Sequence, residues 1–366
     1  MLITAAVLRA NDAPHALETV EIAEPGANEV VVEISGVGLC HTDLMPRSPA
    51  FFGALPMIAG HEGSGVVTSV GSEVTGVAVG DHVIASFDHC RDCANCLTGH
   101  PAYCATFLQR NLFGRSLDGS ISARDAQGAE IGSRWFGQSS FATHALVTEH
   151  NLVVVDPELP LELLGPLGCG VQTGAGAVFN ALRVLPGSSF VVFGAGAVGL
   201  SAVMAATVAG ATTIIAVDLN PARLAVAEEL GATHVINAAE ATDVIGELYR
   251  LTEGGAQYTL DTTGVPAVVE NAINSLRPTG TCGLVAVHQG DVTITPSTLA
   301  FGRNVMGIFE GDSVPRLMIP RLIALWQQDR FPFDKLIRTF PLAEINAAEK
   351  ASISGEVIKP VLLPGS

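Results

Sequence analysis

The chain has 366 residues, of which 48% are hydrophobic and 15% charged, with 39 glycines and a formal charge of -17 at neutral pH. That is enough for about two domains around a large apolar core, and too apolar a composition for a disordered protein. The acidic balance argues against nucleic acid or an anionic membrane surface as partner, since both require basic patches, and leaves small molecules.

Residues 1 to about 155 alternate in the manner of short β-strands broken by glycine turns: Ala5 to Leu8, Glu29 to Ile34, Gly65 to Val70, Asp81 to Ala85 and Leu152 to Val155. Strands at this spacing predict a compact, partly closed all-β body with few helices. The opening Met1-Leu2-Ile3-Thr4-Ala5 has neither the basic nor the long apolar region of a signal peptide, so no export is expected.

Within the β-body, Gly38-Leu39-Cys40-His41-Thr42-Asp43 and Gly60-His61-Glu62-Gly63-Ser64-Gly65 bracket a mostly apolar loop. A thiol and an imidazole among glycines and acids read as two ligands of one metal, with the third supplied from elsewhere.

Further on, Cys90-x2-Cys93-x2-Cys96-x7-Cys104 places four of the seven cysteines on one loop. Four thiolates satisfy a tetrahedral zinc that has no open position, which makes the site structural. A ferredoxin-type cluster shares the first spacings, but would bring its fourth cysteine after three residues and follow it with proline. An odd cysteine total with this crowding suits metal better than disulfides and predicts a reducing, cytoplasmic setting.

Near residue 165 the texture changes, and Leu167-Gly168-Cys169-Gly170 leads into an alanine-rich segment expected to be helical. A lone Cys169 reads as a small buried residue. In company with Cys40 and His61 it becomes the third ligand.

No charged residue occurs from Val184 to Val217, so a hydropathy window would mark a membrane helix there. Pro186-Gly187, Gly194, Gly196, Gly199 and Gly210 divide that run into a buried strand, helix and strand. Gly194-Ala195-Gly196-Ala197-Val198-Gly199 follows the β-branched strand Ser189 to Phe193 and opens a helix over Ala197 to Ala209. A second strand, Thr213 to Val217, ends in Asp218, nineteen residues past Gly199. This is the setting the dinucleotide fingerprint requires, with glycines for close approach of a pyrophosphate and an acid for the adenosine ribose. A carboxylate repels a 2'-phosphate, so NAD is expected over NADP. The alternative role for Asp218 is to cap the helix at Pro221.

Helices are expected at Pro221 to Leu230, Asp243 to Leu251 and Pro266 to Leu276, and strands at His234 to Asn237, Tyr258 to Thr262 and Cys282 to Val287. This alternation predicts a doubly wound parallel sheet. A helix carries Leu317, Leu322, Ile323, Leu325 and Trp326, and the terminal strand Val357 to Leu363 is expected to rejoin the β-body, leaving that body interrupted by the nucleotide domain.

On these residues the chain resembles the zinc-dependent medium-chain alcohol dehydrogenases over essentially its whole length. Gly60-His61-Glu62-x2-Gly65-x5-Gly71-x2-Val74 is similar to the family's zinc signature, and the four-cysteine lobe, Cys169 and the Gly194 loop appear in the family's order. The resemblance implies an α/β protein with a GroES-like β-rich catalytic domain over 1–173 and 310–366, a Rossmann domain over 174–309, a substrate cleft between them, and a homodimer or homotetramer joined through nucleotide-domain edges. It implies two zinc ions per chain, one catalytic on Cys40, His61 and Cys169 and one structural on Cys90, Cys93, Cys96 and Cys104. It also implies Thr42 as the hydroxyl that receives the alcohol's proton, the other reading being a cap for the short helix after Cys40. Asp43 resembles the acid that orients the zinc-bound imidazole, and Glu62 an acid close to the metal.

Around the cofactor, the resemblance places His41 and Lys359 on the pyrophosphate, Arg223 near the ribose, and Thr173 and Val287 beside the nicotinamide. Met45 stands where some relatives carry a histidine that ends the proton relay, which leaves water or His41 to complete it. Phe51, Phe52, Phe87, Trp135, Phe136 and Ile308 fall near pocket positions, and five aromatics in a chain that is 5% aromatic favour a flat apolar substrate. The implied reaction is reversible hydride transfer between a primary aromatic or allylic alcohol and NAD, as in the aryl or benzyl alcohol dehydrogenases. A short aliphatic, formaldehyde or polyol dehydrogenase and a catalytically silent NAD-binding protein are the alternatives.

Overall fold

The computed structural model describes residues 1–51, 53, 55–287 and 290–365; Phe52, expected in a pocket wall, lies outside the described residues. The chain divides into two compact units, one built from Met1–Cys169, Val314–Pro320 and Asp334–Ser366 and the other from Gly170–Ser313 and Arg321–Phe333.

The first unit is β-rich. In Ala16–Ile22 the residues Val20 and Ile22 point inward while Glu21 between them faces solvent, the period of two that a half-buried strand imposes. Five short strands form one sheet in the order Met57–Ile58, Leu2–Leu8, Ala16–Ile22, Ala123–Arg124 and Glu130–Ile131. A seven-stranded sheet runs Leu152–Val155, His82–Ala85, Glu62–Val70, Glu29–Gly38, Lys359–Leu363 and Ile337–Pro341, with His144–Thr148 also on Glu29–Gly38. One apolar cluster joins Val7 and Val20 of the first sheet to Val30, Val32 and Val67 of the second, each such side chain contributing roughly 1.5–3 kcal/mol by leaving water. The terminal strand pairs antiparallel with Glu29–Gly38, Val361 against Gly38 and Leu362 against Val37. That pairing ties the end of the chain to the strand that leads into Cys40.

The second unit holds a six-stranded sheet ordered His234–Asn237, Thr213–Asp218, Ser189–Phe193, Ala256–Asp261, Leu276–Leu284 and Asn304–Gly307, every neighbouring pair parallel. In chain order this is 3-2-1-4-5-6, the doubly wound arrangement that binds dinucleotides outside the carboxyl ends of its strands. The helix Ala197–Ala209 has the expected bounds, is buried from Gly199 to Ala206, and stops at Gly210 in the left-handed region. Its thirteen residues make about 20 Å of helix, short of the roughly 30 Å of a bilayer core. Among the described residues no helix is long and apolar enough to cross a membrane. The uncharged run is a core segment.

One expectation is corrected here, and one strand was not foreseen. The strand expected from Cys282 starts at Leu276 and ends at Leu284, running through Pro278 and Gly280, which read locally as a turn. The register against Ala256–Asp261 shifts between Ala256 and Tyr258, and this irregularity admits them. The sixth strand, Asn304–Gly307, is too short and too mixed in polarity to announce itself.

Candidate active site

Strand register brings the first ligands together. Gly38 pairs with Glu62 across the antiparallel strands Glu29–Gly38 and Glu62–Val70, so Cys40, two residues beyond one, and His61, one residue before the other, become neighbours. Cys169 arrives on a turn pressed against these strands. A Cβ on Gly165 would lie 2.1 Å from the Glu62 carbonyl oxygen, and one on Gly168 would lie 2.1 Å from that of Ala85. Ser86 fastens the same turn by donating to the Gly168 carbonyl at 2.6 Å.

As a result, one donor atom from each of Cys40, His61, Glu62 and Cys169 lies within 4.8 Å of the others. His61 Nε2 is 3.2 Å from Cys169 Sγ, and His61 Nδ1 is 2.7 Å from Asp43 Oδ1. A buried carboxylate fixes Nδ1 as a donor and aims Nε2 at the sulfur, so that Nε2 is the nitrogen a metal would take in exchange for its proton. Asp43 accepts three further hydrogen bonds: from the Gly60 amide at 3.0 Å, the Trp135 indole at 3.0 Å and the Cys40 amide at 3.0 Å.

Electrostatics favour negative charge on sulfur here. A hydrogen bond from Cys169 holds the Cys40 thiol well below the usual thiol range against the cost of burial, and Lys359 and His61 add to the effect. Burial opposes a charge on His61, but Asp43 outweighs it and raises the imidazole well above its usual range. Two thiols and a tautomer-locked imidazole are the donor set of a zinc ion that keeps one position open. These residues fit that ion.

Lys359, which the resemblance places on the pyrophosphate, is buried instead. Its ammonium is buried, 2.8 and 2.9 Å from the two carboxylate oxygens of Glu62. Burial pushes the Glu62 carboxyl up against the pull of Lys359. A Cβ on Gly38 would stand 1.9 Å from Glu62 Oε2, so only glycine leaves room for this carboxylate.

Thr42 lies inside the short 3₁₀ helix His41–Arg47, whose N-cap is Cys40. It therefore does not cap that helix, and its hydroxyl is 3.9 Å from Cys40 Sγ. His41 is exposed, and Met45 packs against the apolar core of the first unit.

The aromatic residues divide. Phe136 stacks on the His61 ring with centroids 4.4 Å apart, and Phe51 is half-buried, edge-on to Trp135 at 5.8 Å. Trp135 and Phe87, expected to line a pocket, are instead in the core: Trp135 is 0% exposed with its N–H taken by Asp43, and Phe87 packs on Phe107. Ile308 is likewise buried in the second unit, over Gly283, where a Cβ would meet its Cδ1 at 2.5 Å.

Gln138 has no counterpart among the expected site residues. Fully buried, it donates to the His61 carbonyl at 2.9 Å and accepts from the Gly63 amide at 3.1 Å. Its only trace in the sequence is a polar run, Gly137-Gln138-Ser139-Ser140, followed at once by buried Phe141.

Sγ atoms of Cys90, Cys93, Cys96 and Cys104 also lie within 4.8 Å of one another. Backbone amides point at the sulfurs: Cys93 N to Cys90 Sγ at 3.3 Å, Cys90 N to Cys104 Sγ at 3.3 Å and Ala105 N to Cys93 Sγ at 3.5 Å. The amides of Ala105 and Cys96 bring the Cys93 thiol down to about 6, whereas burial pushes Cys96 up to about 12. Amide donors aimed at sulfur stabilise thiolates, and this all-sulfur donor set fits a closed zinc site. None of the seven cysteines is in a disulfide.

In the second unit, Gly194 adopts φ +97°, and a Cβ on Gly199 would fall 1.9 Å from the Gly194 carbonyl oxygen. At Gly196 a Cβ would meet nothing within 4 Å, and the helix it opens has no side-chain cap. Tight turn, open approach and close helix packing are the three tasks of the fingerprint glycines, so the loop fits a pyrophosphate. Asp218 accepts from the Ala195 amide at 2.6 Å and the Asn220 amide at 2.8 Å. Asn220, not Asp218, caps the helix Pro221–Glu229, and Arg223 is half-buried on that helix. Thr173 donates to Glu310 Oε2 at 3.4 Å, and Val287 is 68% exposed beyond the end of Leu276–Leu284.

Comparison with known proteins agrees with this geometry. Residues 26–157 match the alcohol dehydrogenase GroES-like domain, and residues 197–327 match the zinc-binding dehydrogenases. The chain is 44% identical to geraniol dehydrogenase of Castellaniella defragrans over 98% of its own length and 97% of the relative's. Of solved structures, an alcohol dehydrogenase zinc-binding domain protein from Burkholderia ambifaria matches with TM-score 0.97 and 50% identity, covering 100% of this chain and 99% of that one. Benzyl alcohol dehydrogenase from Acinetobacter calcoaceticus matches with TM-score 0.95 and 42% identity, covering 99% of each chain.

Proposed function

This chain belongs to the zinc-binding alcohol dehydrogenase family, and on that premise we propose that it moves a hydride reversibly between a primary aromatic or allylic alcohol and NAD, giving the aldehyde. The observation that carries the reading is the convergence of Cys40, His61 and Cys169 donor atoms within 4.8 Å, with His61 locked by Asp43. Cys40, His61 and Cys169 hold a catalytic zinc, and Cys90, Cys93, Cys96 and Cys104 a structural one.

When bound, zinc supplies the Lewis acidity that lets an alcohol lose its proton near neutrality, and NAD supplies the hydride acceptor. The rest falls to side chains of this chain. Asp43 keeps the His61 ring in one tautomer and one orientation. The Thr42 hydroxyl receives the alcohol's proton and passes it toward solvent, with water or His41 completing the path because the Met45 thioether carries no proton. Glu62 and Lys359 place a neutralised carboxylate beside the sulfurs.

Gly194, Gly196 and Gly199 seat the pyrophosphate with His41, Asp218 and Arg223 hold the adenosine ribose, and Thr173 and Val287 flank the nicotinamide. The Asp218 carboxylate is the support for NAD over NADP. A sheet edge at Asn304–Gly307, unpaired among the described residues, supports assembly into a homodimer or homotetramer, and the odd, crowded cysteine pattern supports a reducing, cytoplasmic setting.

Substrate class rests on relatives named for geraniol, an allylic alcohol, and for benzyl alcohol, with half-buried Phe51, edge-on to Trp135, as the aromatic wall the described residues still offer. A panel of benzyl alcohol, cinnamyl alcohol, geraniol, ethanol and sorbitol, each with NAD and NADP and followed by reduced-nicotinamide absorbance, tests it. The expected kcat/KM for the aromatic and allylic alcohols with NAD exceeds that for ethanol at least about tenfold, the scale on which apolar pocket contacts discriminate. Faster turnover of ethanol or sorbitol, or a preference for NADP, overturns the substrate or cofactor assignment respectively.

A further inference from the structure

We propose that Trp135 is a positioning residue for the metal centre: its indole N–H holds the Asp43 carboxylate, and through it the His61 ring, in the orientation that metal binding requires. This rests on the reading of Cys40, His61 and Cys169 as a zinc site.

Asp43 Oδ1 receives His61 Nδ1 at 2.7 Å, the Gly60 amide at 3.0 Å and Trp135 Nε1 at 3.0 Å, while Oδ2 receives the Cys40 amide at 3.0 Å. The two amide donors belong to residues at the ligands themselves, Cys40 and the residue before His61. Among the described residues, Trp135 is the one donor that reaches the carboxylate from outside the Gly38 to Gly65 stretch. The indole donates to this carboxylate in a place where water has no access, since Trp135 is 0% and Asp43 2% exposed.

Backbone geometry around Trp135 points the same way. Phe136, Gly137 and Ser139 all lie in the left-handed region, at φ +50°, +66° and +53°, a conformation that costs energy for Phe and Ser. The loop is held in it by Ser139 Oγ, which accepts from the Trp135 amide at 2.8 Å and donates to the Ile58 carbonyl at 2.6 Å. So shaped, the loop reaches His61 in three ways: through Trp135 and Asp43, through the Phe136 ring stacked on the imidazole, and through Gln138 on the His61 carbonyl. Two of the loop's side-chain donors thus bear on His61, Trp135 Nε1 through Asp43 and Gln138 Nε2 on its carbonyl.

The test is zinc affinity, measured by competition with a chromogenic chelator on full-length wild type, Trp135→Phe, Asp43→Ala and the double variant. Partners one step behind a metal ligand typically change affinity 10- to 100-fold, so Trp135→Phe is expected to weaken the Cys40, His61 and Cys169 site by at least about tenfold. Zinc at the four-cysteine lobe, the internal control in the same chain, should be unchanged. In the Asp43→Ala background the Trp135 substitution should add nothing, because its effect runs through that carboxylate, a coupling that a packing role would not produce.

Should Trp135→Phe fail to fold, the isosteric analogue with sulfur in place of the indole N–H, incorporated in a Trp326→Phe background, removes the donor at constant ring volume. Unchanged affinity in either variant, or an equal loss with and without Asp43, overturns the proposal. Absence of zinc from this site in the wild type overturns the underlying assignment instead.

Discussion

Lys359 Nζ lies 2.8 Å from Glu62 Oε2, and the two side chains are 3% and 0% exposed. Breaking a buried ion pair from one side leaves an uncompensated charge and costs more than the pair contributes. Lys359→Met is therefore expected to destabilise the protein by about 3–5 kcal/mol, and Glu62→Gln added to it should restore much of that loss. Urea unfolding of the single and double variants checks this. Additive losses would mean that the charges are solvated independently.

Gly196 and Gly199 sit three residues apart and predict opposite outcomes. Alanine at Gly199 places a Cβ 1.9 Å from the Gly194 carbonyl, a backbone atom that cannot move aside, whereas at Gly196 it enters open space. Gly199→Ala should lower stability by about 1–3 kcal/mol, the usual cost of overpacking. Gly196→Val should leave the thermal midpoint unchanged and weaken NAD binding, read by calorimetry.

Glu349 ties the end of the 3₁₀ helix carrying Cys40's neighbours to the C-terminal helix Ile345–Ser354. Arg47 Nη2 donates to it at 2.8 Å and Arg47 Nε also pairs with it, while His15 Nε2 lies 3.4 Å away. Burial pushes its carboxyl up, but hydrogen bonds from His15 and Arg47 outweigh burial and hold it below the ordinary value. A depressed carboxylate stabilises the fold at pH above its unfolded value of about 4.3, and that stabilisation is lost as pH falls through the folded value. Glu349→Gln should thus be less stable than wild type at pH 7, with the gap closing below about pH 4. A gap that stays constant across that range would contradict the assignment.

Backbone amides aimed at Cys90, Cys93 and Cys104 shape the lobe for metal, and no residue from 91 to 100 is buried. Cys104→Ser should expose the segment from 90 to 111 to limited proteolysis while leaving zinc at the Cys40 cluster in place. Wild-type protease resistance in that variant would show that the lobe folds without its ion.

Much of this was legible in the sequence because it is written locally. Cysteine spacing, the Gly194 loop between a strand and a helix, and Asp218 at the end of the next strand are short-range patterns, and the helix Ala197–Ala209 follows from them. What was not legible is set by distance along the chain. Trp135 is 92 residues from Asp43, and Lys359 is 297 from Glu62; nothing near either residue names its partner. A tryptophan reads as a pocket wall until its N–H is seen in use. A lone lysine in the same way reads as a surface charge or a phosphate ligand until the strand Lys359–Leu363 is seen laid against Glu29–Gly38. Sequence also marks Phe136 as aromatic without saying that a left-handed backbone will set its ring flat on His61.

Metal content of wild type and Cys169→Ser, determined together with turnover and NAD binding, tests the central claim most directly. The wild type should carry one zinc at each of the two ligand clusters. Cys169→Ser should lose the zinc of the Cys40 and His61 cluster and all measurable turnover, yet keep the zinc of the four-cysteine lobe and bind NAD as the wild type does. Full zinc content with retained turnover in Cys169→Ser would contradict it.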